Sequence, residues 1–290
     1  MDFAGTDLIS TLAIMLVCGI VAGGIGSLLG IGGGMIVTPV LTILFGIDIK
    51  YTIAASLIVV IATSSGSTIA YLKDKILNLR AAMFLEIFTS LGGICGALLS
   101  GILSPIILYV LFGILIINNT IGMLRKLIKP QKKDEIITKG SRSAEILKLN
   151  GTYYDVALKK QIDYSCKNVA MGSFIMYLAG IASGLLGIGS GVFKVIAMDG
   201  AMKMPLKVST STSNLMMGVT ACASALIYFM QGQILCQVAV PVALGVLIGA
   251  TIGSKIMPHI KPLVLRIIFI PFLFLIAFSM LQKAFVLYFG

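Results

Sequence analysis

A succession of long apolar segments limits this chain to one class of structure. Ten segments follow one another, five in each half: 8–26, 31–46, 52–72, 79–99, 103–124, 168–185, 188–202, 208–230, 235–256 and 262–282. A helix needs about 20 residues to cross the hydrocarbon core of a bilayer, and most of these segments reach that length. Only 11% of the residues are charged, whereas soluble domains carry about 25%. The pattern predicts an all-α polytopic membrane protein.

A glycine-rich pentapeptide occurs twice, in both places directly after two leucines. The first motif is GIGGG at residues 30–34, and the second motif is GIGSG at residues 187–191. Glycine costs a helix interior about 1 kcal/mol relative to alanine, so this density indicates a broken helix and a close approach to the backbone. Small-residue helix packing is the alternative. Paired Gly-broken segments in two halves are typical of a transporter's binding site, which favours a site here.

The offset of 157 residues between the motifs also aligns much of the remaining chain. It pairs Gly92 with Gly249 and Pro105 with Pro262, among others, which predicts an internal repeat. Five segments in a repeat invert the second half relative to the first. With the N-terminus outside and ten crossings, most of the 22 basic residues lie on the cytoplasmic side. We therefore expect two inverted repeats with eight to ten transmembrane segments, eight if the two Gly-led segments, short and Gly-broken, only half cross.

A polar stretch separates the halves and divides the chain into 1–124, 125–167 and 168–290. Basic residues outnumber acidic ones in the middle part, so we expect a cytoplasmic insertion that lies on anionic lipid. Within it, apolar residues 146–149 and 152–154 flank Asn150 and Gly151. This arrangement predicts a β-hairpin with a type I′ turn at Asn150-Gly151.

Helices that start at the two motifs would form an anion site. The first amides of a helix lack intrahelical partners and lie at the positive end of the dipole. Hydroxyls and an amide near the start of the following segments add hydrogen-bond donors. The candidate substrate-binding residues are Gly32, Gly33, Gly34, Ser56, Gly189, Ser190, Gly191, Lys194, Ser213 and Asn214. The pattern predicts an anionic substrate.

Two charged residues lie within apolar segments, and we predict a different role for each. Lys194 follows the second motif by about one turn, and a lysine at membrane depth costs about 2.5 kcal/mol or more, so we interpret it as a substrate contact. Its alternatives are snorkelling or pairing with Asp199. Glu86 lies about two turns into the fourth segment, where burial favours a protonated carboxyl, and is the candidate coupling residue. Its alternatives are a buried pair with Arg80 and polar packing.

Other classes of protein fit the sequence less well. The five cysteines and one histidine have no metal-ligand spacing, so neither a metal site nor a disulfide framework is expected. The glycine motifs lack the GK[ST] of a phosphate-binding loop, and no cofactor is expected. An enzyme is disfavoured because no acid pair or catalytic histidine arrangement is present. The net charge of +11 is explained by basic residues in cytoplasmic loops, which set the orientation of a membrane protein. Nucleic acid is therefore not an expected partner.

The doubled LLGIGGG and LLGIGSG motifs, with Ser56 and Ser213-Asn214 in the next segments, resemble the TauE/SafE sulfite-exporter family. The resemblance covers nearly the whole chain except the insertion. It implies a multi-pass permease of the prokaryotic cytoplasmic membrane that moves sulfite, a sulfonate or a sulfoacetate-like anion, with a proton or sodium as candidate coupling ion. Ser190 and Lys194 depart from the family pattern. Transport of another anion such as a carboxylate, or a non-transporting assembly role, are the alternatives.

Overall fold

Long helices make up both halves of the protein. The computed structural model describes residues 7–29, 32–73, 76–128, 141–155, 160–256 and 262–289. The first half contains α1 (Asp7–Leu29), α2 (Gly34–Ile43), α3 (Ile49–Lys73), α4 (Leu79–Ile102) and α5 (Pro105–Ile128). The insertion contains α6 (Arg142–Ile146), β1 (Gly151–Asp155) and β2 (Lys160–Tyr164). The second half contains α7 (Val169–Leu186), α8 (Gly191–Val195), a π-helical turn (Ile196–Ala201), α9 (Leu206–Met230), α10 (Cys236–Ile256) and α11 (Pro262–Phe289).

Seven helices in the described part of the chain are long and apolar enough to cross a membrane: α1, α3, α4, α5, α7, α9 and α10. The last helix, α11, has 28 residues and contains a shorter apolar stretch, Leu273–Phe289. The prediction of an all-α polytopic membrane protein is confirmed.

The two Gly-led segments are only half as long as a bilayer is thick. Helix α2 has 10 residues, which span about 15 Å, and α8 has 5 residues before the π-helical turn of 6. Full crossing of the membrane by the segments 31–46 and 188–202 stays a prediction, and the helices within them are shorter than these apolar segments. The reason lies in the motif backbone, where Gly32 and Gly189 have φ of +77° and +73°. This left-handed conformation interrupts a right-handed helix and delays the start of the next one.

Close glycine contacts join the helices in pairs that the 157-residue offset relates. Gly92 of α4 faces the carbonyl oxygen of Tyr177 in α7, and its counterpart Gly249 of α10 faces the carbonyl oxygen of Ile20 in α1. Neither contact leaves room for a Cβ. Helix α3 also packs against its own counterpart α9, and α5 packs against its own counterpart α11. These contacts support the internal repeat, and the inversion of its halves stays a prediction.

Hydrogen bonds near the helix ends show which of these ends lie together. Lys50 Nζ donates to the carbonyl of Gly101 at 3.0 Å, so the start of α3 lies beside the end of α4. Lys283 Nζ donates to the carbonyl of Thr42 at 2.7 Å, which adds the ends of α2 and α11 to this group. At another end, the amide of Lys167 donates to the carbonyl of Met202 at 2.9 Å. The insertion and the loop before α9 therefore meet.

The insertion is a small folded unit attached to the membrane helices. Strands β1 and β2 pair antiparallel, with Gly151 opposite Tyr164, and their connection at 156–159 lies outside the described residues. The predicted turn at Asn150-Gly151 is wrong. Residues 142–146 form α6 instead of leading into a strand, and Asn150 Oδ1 accepts the amide of Cys166 at 2.9 Å. Asn150 therefore joins the two ends of the unit.

Asn78, in the loop before α4, fastens this unit to the membrane part. Its Nδ2 donates to the carbonyl of Leu149 and to the Tyr164 hydroxyl, both at 2.8 Å. Its Oδ1 accepts the amide of Ala81 at 3.0 Å and so caps α4. Burial raises the pKa of the Tyr164 hydroxyl, which therefore stays neutral. One side chain thus links the insertion to the start of a membrane helix.

Candidate functional site

The two glycine motifs meet in the interior of the protein. A Cβ at Gly34 would collide with the carbonyl oxygen of Gly187. The sulfur of Met217, on α9, lies 3.6 Å from the Cβ position of Gly32 and 3.5 Å from that of Gly189. Segments that are far apart in the sequence therefore share one buried location, where only glycine leaves space for the neighbouring backbone.

The second motif holds a strained serine. Ser190 has φ of +48° and ψ of +22° as the residue before α8, a left-handed conformation that costs a non-glycine residue about 1–2 kcal/mol. Its side chain is 2% exposed, and its Oγ has no hydrogen-bond partner among the described residues. Strain combined with an unsatisfied buried hydroxyl is typical of a functional position.

The serines at equivalent places in the two halves support the second motif. Ser56 Oγ donates to the carbonyls of Ile53 at 2.7 Å and Gly187 at 3.0 Å. Ser213 Oγ donates to the carbonyl of Gly191 at 3.0 Å. Each hydroxyl hydrogen is thus already used to fix backbone next to the site. A direct contact of either serine with substrate stays a prediction.

Asn214 retains free hydrogen-bonding capacity in a buried place. The residue is 2% exposed, and its Nδ2 has no partner among the described residues. Its backbone carbonyl accepts Ser64 Oγ at 2.6 Å, which fixes α9 against α3 at this level. An unsatisfied buried donor costs about 1–3 kcal/mol, so such a group usually awaits a water or a ligand.

Helix α2 begins beside this location and is anchored by α3. The amide of Gly33 donates to Thr63 Oγ1 at 3.4 Å, and the amides of Ile36 and Val37 close the first turn on the Gly33 carbonyl. A Cβ at Gly33 would lie 3.1 Å from both Thr63 Oγ1 and a methyl group of Val59. The start of α2 is therefore fixed in position rather than held on a loose loop.

A buried charged network lies next to the motifs. The Lys194 side chain is fully buried, and its Nζ donates to Thr220 Oγ1 at 2.6 Å. Thr220 Oγ1 donates in turn to Glu86 Oε1 at 2.6 Å, and Ser90 Oγ donates to the same oxygen at 3.0 Å. Lys194 Nζ lies 3.9 Å from Glu86 Oε2, an oxygen that has no hydrogen-bond partner in the described part of the chain.

This network unites the two charged residues that the sequence suggested for separate roles. The ion pair of Lys194 with Glu86 differs from both pairings considered, Asp199 for the lysine and Arg80 for the carboxylate. Thr220 did not stand out as a site residue, because a threonine in an apolar helix gives no local signal. Only the contact between helices from different halves reveals its position between the two charges.

A glycine allows the close approach that this network needs. A Cβ at Gly93 of α4 would lie 2.7 Å from Ser224 Oγ and 3.1 Å from the Thr220 methyl group. Glu86, Ser90 and Gly93 follow one another at helical spacings of four and three residues, so they share one face of α4. The bare backbone at Gly93 therefore lets α9 bring Thr220 to the carboxylate.

An apolar groove of about 530 Å³ lies outside this site, between α5 and α7. Asn118 provides an amide in a lining that otherwise consists of apolar side chains, including Phe193 of α8. A small anion gains nothing from such a lining, because burial without a charged or polar partner is unfavourable. The motifs and the charged network are therefore the better location for an anion.

Comparisons with known proteins agree with a transport role. A family model described as "Sulfite exporter TauE/SafE" matches residues 15–280. The chain is 28% identical over 228 residues to "Probable membrane transporter protein YunE" of Bacillus subtilis, which covers 76% of this chain and 79% of that protein. It is also 28% identical over 225 residues to "Probable membrane transporter protein MJ0441" of Methanocaldococcus jannaschii, covering 75% and 72%. No solved structure matches.

Proposed function

Because the chain belongs to the sulfite exporter TauE/SafE family of membrane transporters, we propose that it carries a small sulfur-containing anion through the site between its two glycine motifs. Sulfite, a sulfonate and a sulfoacetate-like anion are the candidate substrates. The observation that carries this proposal is the fully buried Lys194, which lies about one turn after a motif whose Ser190 has an unsatisfied buried hydroxyl.

The substrate head group lies between residues 32–34 and 189–191, with Lys194, Ser213 and Asn214 around it. Three features support this position. The glycines allow close approach to the backbone, the Asn214 amide and the Ser190 hydroxyl lack partners, and Lys194 supplies a full positive charge in a water-poor place. Charge-assisted hydrogen bonds are stronger than neutral ones, and three oxygens on a sulfonate accept several donors at once.

A counterflow experiment in proteoliposomes tests this function. Vesicles loaded with unlabelled sulfite or methanesulfonate should accumulate the labelled anion without chemical change, and acetate serves as the carboxylate alternative. Loss of one charge-assisted hydrogen bond removes about 1.5–3 kcal/mol, so Lys194→Met should weaken anion binding about tenfold to a hundredfold. Gly191→Val should weaken it further, because the side chain fills space next to the backbone.

The matched control is Gly122→Ala, since a Cβ at Gly122 meets nothing within 4 Å. Calorimetry on purified protein measures affinity, and thermal melts verify folding. If the protein exchanges acetate but neither sulfite nor methanesulfonate, the transport role stands and the substrate is a carboxylate instead of a sulfur-containing anion. Unchanged affinity in well-folded Lys194→Met and Gly191→Val would place the anion elsewhere.

We further infer a location in the cytoplasmic membrane of a prokaryote, with the insertion on the cytoplasmic side. The positive-inside rule supports this orientation, and the hydrogen bond between Lys167 and Met202 places the loop at Lys203 beside the insertion. In a cysteine-free background, Tyr154→Cys and Lys203→Cys should react with thiol reagents from the cytoplasmic side, and Gly232→Cys from outside. Labelling of the cysteine at 203 from outside would refute the inverted arrangement.

A further inference from the structure

We propose that the anion and the Glu86 carboxylate compete for Lys194, so that each anion bound is accompanied by one proton taken up on Glu86 Oε2. This inference rests on the proposed function and adds a coupling step to it. The observations behind it are the 3.9 Å separation of Lys194 Nζ from Glu86 Oε2 and the lack of a hydrogen-bond partner for that oxygen among the described residues.

With an anion bound, the site would contain one positive charge, on Lys194, and two negative charges, on Glu86 and on the anion. In the structure Lys194 balances Glu86, and both side chains are buried, with relative exposures of 0% and 11%. A second negative charge would leave one carboxylate or substrate charge uncompensated in a medium of low dielectric constant, which is strongly unfavourable. An arriving anion can therefore use Lys194 only if Glu86 becomes neutral.

The geometry identifies where the proton goes. Glu86 Oε1 already accepts the hydroxyls of Thr220 and Ser90 at 2.6 Å and 3.0 Å. These bonds persist when the carboxyl is protonated on the other oxygen, Oε2. The step is balanced: ion-paired Lys194 and Glu86, one anion and one proton give a Lys194–anion pair and a neutral Glu86. The total charge of the site is the same before and after.

The network also lies within reach of the motifs. The Met217 sulfur lies 3.6 Å and 3.5 Å from the Cβ positions of Gly32 and Gly189, and Thr220 follows Met217 by three residues, an axial distance of about 4.5 Å along α9. The Lys194 backbone belongs to α8, which begins at the second motif. A lysine has enough rotatable bonds to exchange the carboxylate for an anion a few ångströms away.

Other ionisable groups on the packed elements have different surroundings. Tyr177 of α7 donates to Cys95 Sγ at 3.6 Å, and Tyr228 of α9 donates to the carbonyl of Gly184 at 2.9 Å. Asp199 on the π-helical turn and Lys207 at the start of α9 each make interactions of their own. Cys222 of α9 is exposed, as is Arg80 at the start of α4. Lys194 is the charged group that the structure pairs with Glu86.

Calorimetry in two buffers of equal pH and different ionisation enthalpy measures protons taken up on binding. The probe is methanesulfonate, or acetate if only carboxylates bind, because both stay ionised over the pH range used. The wild type should take up about one proton per anion, and its affinity should therefore fall about tenfold for each unit by which the pH is raised. Glu86→Gln should bind with no proton uptake and with an affinity independent of pH.

Two further variants and one spectroscopic measurement complete the test. Glu86→Asp should restore proton uptake, and the matched control Arg80→Gln, which removes a charge from the same helix, should keep the uptake at about one. Infrared difference spectra of the wild type should show a protonated carboxyl band when the probe is added, which needs no variant. Binding without proton uptake or this band, or equal uptake in Glu86→Gln, would overturn the inference and leave the transport function intact. Failure of sulfite, methanesulfonate and acetate alike to bind would remove both.

Discussion

Thr220 is the residue whose replacement tests the charged network most directly. Its hydroxyl accepts Lys194 Nζ and donates to Glu86 Oε1, both at 2.6 Å. In Thr220→Val a methyl group replaces the hydroxyl with nearly the same shape, so packing is preserved. Both hydrogen bonds to the charged groups are lost, together with the bond from the hydroxyl to the Met216 carbonyl at 3.0 Å. The two charges then lie 3.9 Å apart without the group that connects them.

The expected loss of stability follows from these two bonds. A hydrogen bond to a charged group contributes about 1.5–3 kcal/mol, so the loss of both removes about 3–6 kcal/mol. Lys194 and Glu86 can recover roughly one bond by closing their separation to hydrogen-bond distance. We therefore expect Thr220→Val to lower the free energy of unfolding by about 1.5–3 kcal/mol. Thr220→Ser keeps the hydroxyl and should lose only the packing of one methyl group, roughly 1 kcal/mol.

Thermal melts of detergent-purified protein, followed by loss of the monodisperse peak, measure both variants against the wild type. The valine variant should melt several degrees below the serine variant. Addition of Lys194→Met to Thr220→Val should cost less than the sum of the two single changes, because both act on one network. Equal melting temperatures for the valine and serine variants would refute the role assigned to the hydroxyl.

Three further predictions concern packing, the insertion and cysteine chemistry. Gly92→Ala and Gly249→Ala should lower the melting temperature by similar amounts, because overpacking costs about 1–3 kcal/mol. The control Gly122→Ala should leave the melting temperature unchanged, since a Cβ there meets no neighbouring atom. An unchanged melting temperature of Gly92→Ala would contradict the close helix contact. Asn78→Ala should speed proteolysis within residues 141–164 in a limited-digestion assay while the membrane helices stay intact, and an unchanged digestion rate would argue against its fastening role. Burial raises the pKa of the Cys166 thiol to about 12, so at pH 8 the reactive thiolate is scarce, and mass spectrometry should find iodoacetamide adducts there only after denaturation.

The sequence alone determined the class of the protein and the position of its main elements. Apolar length and low charge are local properties, and they identify membrane helices because the bilayer core excludes charged and unpaired backbone groups. The doubled motif is equally local, and its glycines interrupted the helices near where they were expected, at Gly32 and Gly189. Helices α2 and α8 are shorter than the apolar segments that predicted them. The apolar segments begin within the glycine motifs, but the left-handed backbone at Gly32 and Gly189 delays the start of each helix.

The tertiary structure decided which side chains meet. Lys194 and Glu86 lie in different halves, and their pairing depends on the approach of α4 to α9 at Gly93. The turn predicted at Asn150-Gly151 failed for a similar reason, since the Asn150 side chain is used by a residue beyond β2. Periodicity and composition report how one segment contacts its solvent, whether water or lipid. They carry no information on which distant segment supplies the partner of a buried charge, and that choice rests on packing between helices.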